Sequence, residues 1–432
     1  MTEEAEEEGT RDLPLKIDQT AKKWTAFLLA GAMSLSAMAS VNADVYYQNG
    51  ARTEVGPGVG LSGESSVQQG SQDAGPSLDA GDYAATGGVG LGGMTVSSEV
   101  PSGYRSIAEL SAVPDPVVQT AETYTYDYMF HDMDVLSERY RGKLSYRSIG
   151  TSRDGRSIYE MVLGNRNAGT QVLFTAAIHG REYITTNLVM KLAEYLLYAA
   201  EHQYSFDGKP VSQWLSETCV HIVPMVNPDG VSISQFGAGS LRNSALKEQL
   251  EKSYAYDLSS GRTSLDFNRY CVRYKANAAG VDLNQNFNAA WASASGTATQ
   301  GSYSGYKGPR AESEPETKAL TELYRSADFK AVVNYHAMGQ VIYWDIAQNK
   351  LREHSRDLAH NLSALTGYQM LYSGGGGGFK DYVQLSSDPS TSVTLEVGRT
   401  EAPVPWTEME TIFSQNRFVP LYTMKWAKEK GK

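Results

Sequence analysis

A histidine, an arginine and a glutamate close the apolar run Gln171-Val-Leu-Phe-Thr-Ala-Ala-Ile-His179-Gly-Arg181-Glu182. A buried β-prone segment does not end on three such groups unless something at its terminus needs them. An imidazole and a carboxylate three residues apart can reach one small cation, and both are ligands that catalytic zinc takes. The pattern also arises by chance, so it needs partners elsewhere in the chain. A second apolar run, Lys330-Ala-Val-Val-Asn-Tyr-His336, ends in a histidine. Two His and one Glu leave a coordination position open for water, as a hydrolytic metal requires. A third run, Ser392-Val-Thr-Leu-Glu396-Val, sets a carboxylate among apolar neighbours. An ionised Glu there is costly unless a charge balances it, and burial raises its pKa toward the range useful to a base. A fourth segment, Lys275-Ala-Asn-Ala-Ala-Gly-Val-Asp282-Leu-Asn284-Gln285-Asn-Phe287, offers amide donors and an Asp able to buttress a ligand His. Read alone, it is an Asn-rich turn.

The elements that must position these groups alternate in period. Ile158–Leu163, Val172–Ile178, Val220–Val226, Ala331–Tyr335 and Val393–Val397 are predicted as short apolar strands. Leu188, Val189, Leu192, Leu196 and Leu197 fall at helical spacing after Thr185-Thr186, which would cap the helix. Ser313-Glu-Pro-Glu316 predicts a capping-box start with Pro in the first turn, and Trp406 through Trp426 predicts a helical C-terminal region. Strands alternating with helices make an α/β layered domain, whose sites gather at the carboxyl ends of the strands.

Composition limits the rest. A basic doublet at Lys22-Lys23, a mostly apolar core and a small-residue close at Val41-Asn-Ala43 predict a signal peptide over residues 1–43. The core is short and diluted by Ser and Gly, so stable membrane insertion is not expected. Residues 44–117 are rich in Gly and Ser and predict a disordered linker before a domain spanning 118–432. The formal charge of -11 and the absence of a long basic run argue against a nucleic-acid partner. Cys219 and Cys271 either pair after export or remain two buried thiols.

Together the four segments resemble the zinc metallocarboxypeptidase family, peptidase family M14 of the carboxypeptidase A type. The resemblance covers roughly residues 120–430, and the Asn-Pro-Asp-Gly run at 227–230 is a further shared trait. It implies a single α/β domain with a central mixed β-sheet flanked by helices. It implies one Zn²⁺ ion held by His179, Glu182 and His336, with Glu396 as general base. Asp282 corresponds to the partner of the first zinc His, and Asn284 to the Asn that holds a substrate carboxylate. Arg181 corresponds to the Arg of the metal motif, which would assist in holding the oxyanion and, with Asn284, Gln285 and Lys380, position the residue beyond the cut. The oxyanion group falls on Lys275 or, failing that, Arg273, and Tyr372 lies near the place of the mobile active-site Tyr. The long interval from Glu182 to His336 implies a loop insertion around 232–265.

Two departures bear on substrate. The family's Asn-Arg pair reads Asn284-Gln285 here, which removes a bidentate contact to a C-terminal carboxylate. Lys380, in a Gly-rich stretch, falls near the floor of the specificity pocket, where a cation favours an anionic leaving side chain. These features look more like the bacterial branch that cuts γ-D-glutamyl-diamino acid bonds of peptidoglycan peptides. The implied protein is a secreted or cell-wall associated zinc metallopeptidase. Rival readings are a metallocarboxypeptidase releasing acidic C-terminal residues and an inactive cell-wall-binding module. A deacylase of the aspartoacylase group would share the metal trio, but the Asp282–Phe287 motif argues against it.

Overall fold

The computed structural model describes residues 97–431 apart from 295, 373 and 374. The expected signal peptide and linker residues 44–96 lie outside the described residues. Eight strands form one mixed sheet: β1 (Leu144–Thr151), β2 (Ser157–Gly164), β3 (Thr170–Thr175), β4 (Thr218–Val223), β5 (Phe329–His336), β6 (Val341–Tyr343), β7 (Gln369–Leu371) and β8 (Thr391–Glu396). Their order across the sheet is β7-β6-β8-β5-β3-β4-β2-β1. The four central strands β8, β5, β3 and β4 run parallel, so their carboxyl ends share one edge. Antiparallel β2 and β1 complete one side.

Buried on both faces, the central strands carry apolar residues on both sides rather than alternating apolar with solvent-facing polar ones, and the polar residues among them, such as His221, Asn334 and Ser392, are buried too. Period 2 then divides their residues between two cores. Val172 and Phe174 of β3 and Val333 of β5 face one core. The helices Tyr126–Arg139, Ile184–Glu201, Arg352–Thr366, Met409–Asn416 and Val419–Lys430 cover it with Met129, Leu188, Leu358, Ile412 and Met424. Leu173 and Val332 face the other, covered by Leu320 and Leu323 of the helix Pro315–Arg325 and by Phe379 and Val383 of the helix Phe379–Leu385. A mixed sheet between helical layers matches the expected fold class.

Several boundaries differ from the sequence reading. β3 closes at Thr175 rather than Ile178, because Ala177 turns to a φ of 48°. Thr185 does not cap the following helix from outside. It lies in its first turn, where its hydroxyl donates to the Glu182 carbonyl at 2.7 Å and accepts from the Ala177 N–H at 2.9 Å. The capping box at Ser313 does not form: the Ser313 hydroxyl binds the Glu314 carboxylate, and Asn286 accepts the Glu314 N–H instead. The expected loop insertion around 232–265 takes in the end of the helix Pro228–Phe236 and the whole of the helix Ser244–Ser259. The linker ends earlier than residue 117. Arg105–Ser106 pairs in parallel with the strand Tyr204–Phe206, and Ile107, Leu110 and Val118 are buried. The buried Glu194 carboxylate accepts the N–H groups of Val117 and Val118 at 2.7 and 2.9 Å, which fastens this apolar segment to the domain. Cys219 and Cys271 are both buried free thiols.

A buried polar network pins the loop that carries Lys275 and Asp282. Asn277 donates to Glu314 at 2.8 Å and to Glu316 at 3.2 Å, and its oxygen accepts from the N–H groups of Ala279 and Val281. Arg153 binds Glu314 through Nε at 2.8 Å, and its own N–H donates to Glu316. Burial and the neighbouring charge of Asp229 push the Glu316 carboxyl from 4.5 up to about 8. Between those values the folded chain keeps a proton that the unfolded chain releases. This contribution to stability is therefore complete below about pH 4.5 and declines as pH rises toward 8. We expect Tm to fall more steeply from pH 5 to pH 8 in the wild type than in Glu316→Gln. Parallel slopes in calorimetry would refute the assignment.

Candidate metal centre and active site

His336 is the last residue of β5, and its register partner on the adjacent parallel strand is Glu396, the last residue of β8. β3 lies on the other side of β5, and the chain beyond it continues to His179. That residue begins a tight turn, Gly180–Glu182, which leads into the helix Ile184–Glu201. The turn fits only because residue 180 is glycine. A Cβ there would stand 2.4 Å from the Gly230 carbonyl group in the helix Pro228–Phe236. Gly180 N–H also donates to the Lys275 carbonyl at 3.0 Å, tying the metal motif to the Asp282 loop.

His179, Glu182 and His336 are all buried, with one ligand atom from each within 4.8 Å of the others. His179 Nδ1 lies 2.8 Å from Glu182 Oε1, and His336 Nδ1 lies 3.1 Å from Glu182 Oε2 and 3.1 Å from His179 Nδ1. Two imidazole nitrogens thus face one another beside a carboxylate. Burial raises the Glu182 carboxyl, but the two imidazoles hold it well below the usual range. The Ala337 N–H donates to Glu182 Oε2 at 3.1 Å and fixes its orientation.

The donor set fits a divalent cation. His179 Nε2, on the far side of the ring, has no hydrogen-bond partner, and neither does Asp282 Oδ1, which stands 3.4 Å away. This is the carboxylate–histidine arrangement that fixes the tautomer of a metal-ligating imidazole, leaving Nδ1 as the ligand atom. Asp282 Oδ2 accepts the Gly305 N–H at 3.0 Å and faces Lys275 Nζ at 3.7 Å. Burial alone would raise the Asp282 carboxyl, yet Lys275 and His179 hold it well below the usual range.

Glu396 is partly exposed at the strand end but densely surrounded by protein. Burial and the Glu182 charge push its carboxyl up to about 7, while His336, Lys275 and Arg181 act in the opposite direction. The other four groups therefore all act on Glu396 electrostatically. A base poised near neutrality suits proton transfer at the pH of most cells. Lys275 faces Asp282, whereas Arg273 binds Glu401 and the Ala402 carbonyl.

The expected substrate groups are only partly brought together. Asn284 Oδ1 accepts the Phe379 N–H at 3.1 Å, so the Asn284 amide is braced by the helix that carries Lys380. Gln285 Oε1 is buried without a partner. The glycine-rich loop lies directly on this pair: a Cβ at Gly377, whose φ is 86°, would meet the Gln285 carbonyl oxygen at 2.8 Å. Lys380 corrects the sequence reading. It is buried, and its ammonium is held by Asp381, by Gln384 at 3.3 Å and by the Asp345 carbonyl at 3.1 Å. An ammonium has three N–H donors, so none is left for a substrate anion in this arrangement. Tyr372 is exposed, without a role that its position decides.

A family model for zinc carboxypeptidases, Peptidase M14, matches residues 129–420. The chain belongs to this family. It is 31% identical over 303 residues to the γ-D-glutamyl-L-diamino acid endopeptidase 1 of Lysinibacillus sphaericus, covering 69% of this chain and 72% of that protein. It is 26% identical over 228 residues to human mast cell carboxypeptidase A, covering 52% of this chain and 47% of that one. Among solved structures, thrombin activatable fibrinolysis inhibitor matches with a TM-score of 0.55 at 18% identity, over 75% of this chain and 80% of that one. The carboxypeptidase A of Helicoverpa armigera gives 0.55 at 16% identity, over 75% and 79%. At such identities the structural matches speak for the fold alone. The chain is thus an M14 zinc peptidase, with His179, Glu182 and His336 as its candidate metal site.

Sequence reasoning missed Asn277, Glu314 and Glu316 as supports of the site, and the Ala337 N–H as a partner of Glu182. Asn277 sits inside the motif that was singled out, and Glu314 and Glu316 stood in the expected helix start. A backbone amide leaves no trace in the sequence. We expect Glu396→Gln to retain zinc while turnover drops by about 10²–10⁴-fold. Activity in the wild type should rise with pH along an acid limb at or below about 7, since the positive charge of a bound metal can only lower the Glu396 pKa. Wild-type hydrolysis by the variant would remove Glu396 from the mechanism. Asp282→Asn should weaken zinc binding by about 10–100-fold in a chelator competition titration, and unchanged affinity would contradict its role.

Proposed function

We propose that the protein is an exported peptidase that hydrolyses γ-D-glutamyl-diamino acid bonds in peptidoglycan peptides. The observation that carries this reading is an intact hydrolytic constellation beside a Gln285 that cannot form the bidentate clamp an Arg makes on a C-terminal carboxylate. Similarity to a γ-D-glutamyl-L-diamino acid endopeptidase supports the same substrate class. The basic doublet and apolar core before Ala43 support export to where such peptides occur. Among the described residues no helix is long and apolar enough to cross a membrane.

A zinc ion held by His179, Glu182 and His336 would supply Lewis acidity to the attacking water and to the scissile carbonyl. The chain's own groups do the rest. Glu396 takes a proton from the attacking water as its oxygen bonds to the carbonyl carbon. Lys275 balances negative charge developing on the carbonyl oxygen. The C–N bond then breaks, and Glu396 returns the proton to the leaving amine, so the carboxylate is regenerated. Asn284 and Gln285 orient the leaving residue, with the glycine-rich loop packed against them.

With Lys380 held by Asp381, that cation meets neither a diaminopimelate side chain nor the acidic C-terminal residue of the rival carboxypeptidase reading, so Gln285 and the similarity to a γ-D-glutamyl-L-diamino acid endopeptidase support the choice between them. Purified muropeptides incubated with the zinc-loaded full-length protein should lose a mass corresponding to the segment beyond D-glutamate. Release of free Glu or Asp from ordinary peptides, with muropeptides untouched, would overturn the proposal.

A further inference from the structure

A cavity of about 300 Å³ adjoins the metal motif and is walled by Arg181, Arg262, Thr263, Ser264, Arg273 and Tyr303. Arg262 to Ser264 come from the segment that lengthens the interval between Glu182 and His336. Three guanidinium groups meet there, and they are not equivalent. Arg262 is fully engaged, binding Asp257 through Nε at 2.9 Å and the carbonyls of Thr297 and Ser304 at 2.6 and 2.8 Å. It shapes the wall. Arg273 binds the exposed Glu401 and the Ala402 carbonyl through one nitrogen, Nη1. Arg181 makes no hydrogen bond or ion pair among the described residues, and its Nε is buried without a partner.

A half-buried guanidinium with a buried, unpaired N–H is costly, and the cost disappears when an anion enters. Arg181 belongs both to this wall and to the turn Gly180–Glu182 of the metal motif, so an anion bound to it would sit beside the metal site. None of the cavity's lining residues belongs to the Asn284, Gln285 and glycine-loop group that braces the leaving residue.

We propose that this cavity is an acyl-side carboxylate subsite in which Arg181 and Arg273 bind the free α-carboxylate of a γ-linked glutamyl residue. An α-linked peptide has no carboxylate there, because its α-carboxyl is the scissile carbonyl itself. A γ-linked glutamyl residue carries one a few bonds from the reacting carbon. Arg181 takes it as its missing partner. Arg273 joins by exchanging Glu401, whose solvent-exposed contact is weak. This inference rests on the proposed γ-glutamyl substrate and adds how that residue is recognised.

The test compares two synthetic peptides, γ-D-glutamyl-diaminopimelate and its α-amide, in which the free carboxylate is a carboxamide. With the zinc-loaded full-length wild type, amidation should lower kcat/KM by about 10–100-fold, the range of a charge-assisted contact. In Arg181→Gln and in Arg273→Gln that ratio should shrink toward one, whatever happens to the absolute rate. Equal cleavage of both peptides by the wild type would overturn the subsite and leave the γ-glutamyl reading standing. Cleavage of neither would overturn that reading first. Variants that keep the wild-type ratio would show the carboxylate to be bound elsewhere.

Discussion

Burial of the Glu182 carboxylate is the constraint on which the site depends. An unpaired charge in that position would be neutralised or expelled. It persists because His179 and His336 approach its two oxygens and the Ala337 N–H closes on one of them. The same contacts define a point where a divalent cation would meet three ligand atoms. A charge that the fold could not otherwise tolerate is therefore also the feature that selects a metal. Asp282 repeats the device one layer out, buried and held ionised by Lys275 and His179.

These charges need a frame that does not yield. The parallel register that sets Glu396 beside His336 comes from six paired positions along β8 and β5, adjacent strands in the middle of the sheet. The turn that carries His179 has no such ladder and relies on close approach instead. Gly180 lies against Gly230, and its N–H holds the Lys275 carbonyl. Asn277, Glu314, Glu316 and Arg153 then fix the loop from behind. A polar network of this kind is tolerable only when its members are satisfied, and Asn277 uses both its oxygen and its nitrogen.

The electrostatic balance divides the active groups by role. Glu182 and Asp282 are held ionised, while Glu396 is pushed toward neutrality and can exchange a proton. Lys380 shows how far burial can change the meaning of a charge. A cation that would read an acidic side chain becomes an internal pair with Asp381. Arg181, by contrast, keeps a buried Nε without a hydrogen-bond partner.

Local chemistry was legible in the sequence. Apolar runs closed by His179, His336 and Glu396 announced strand ends with metal and proton chemistry, since no core strand terminates so without cause. The α/β architecture followed from alternating periods, and the Asp282–Phe287 segment stood out by its amides. The sequence could not say that the helix start at Ser313 would lose its capping box to Asn286, or that residues 105–118 would dock on Glu194. Both outcomes depend on partners far along the chain. Nor could it separate Lys275 from Arg273, two residues apart, or reveal that Lys380 is satisfied and Arg181 is not. A residue type states which bonds a side chain can make. Only the tertiary structure decides which of them are already made, because acceptors arrive from segments that sequence distance does not connect.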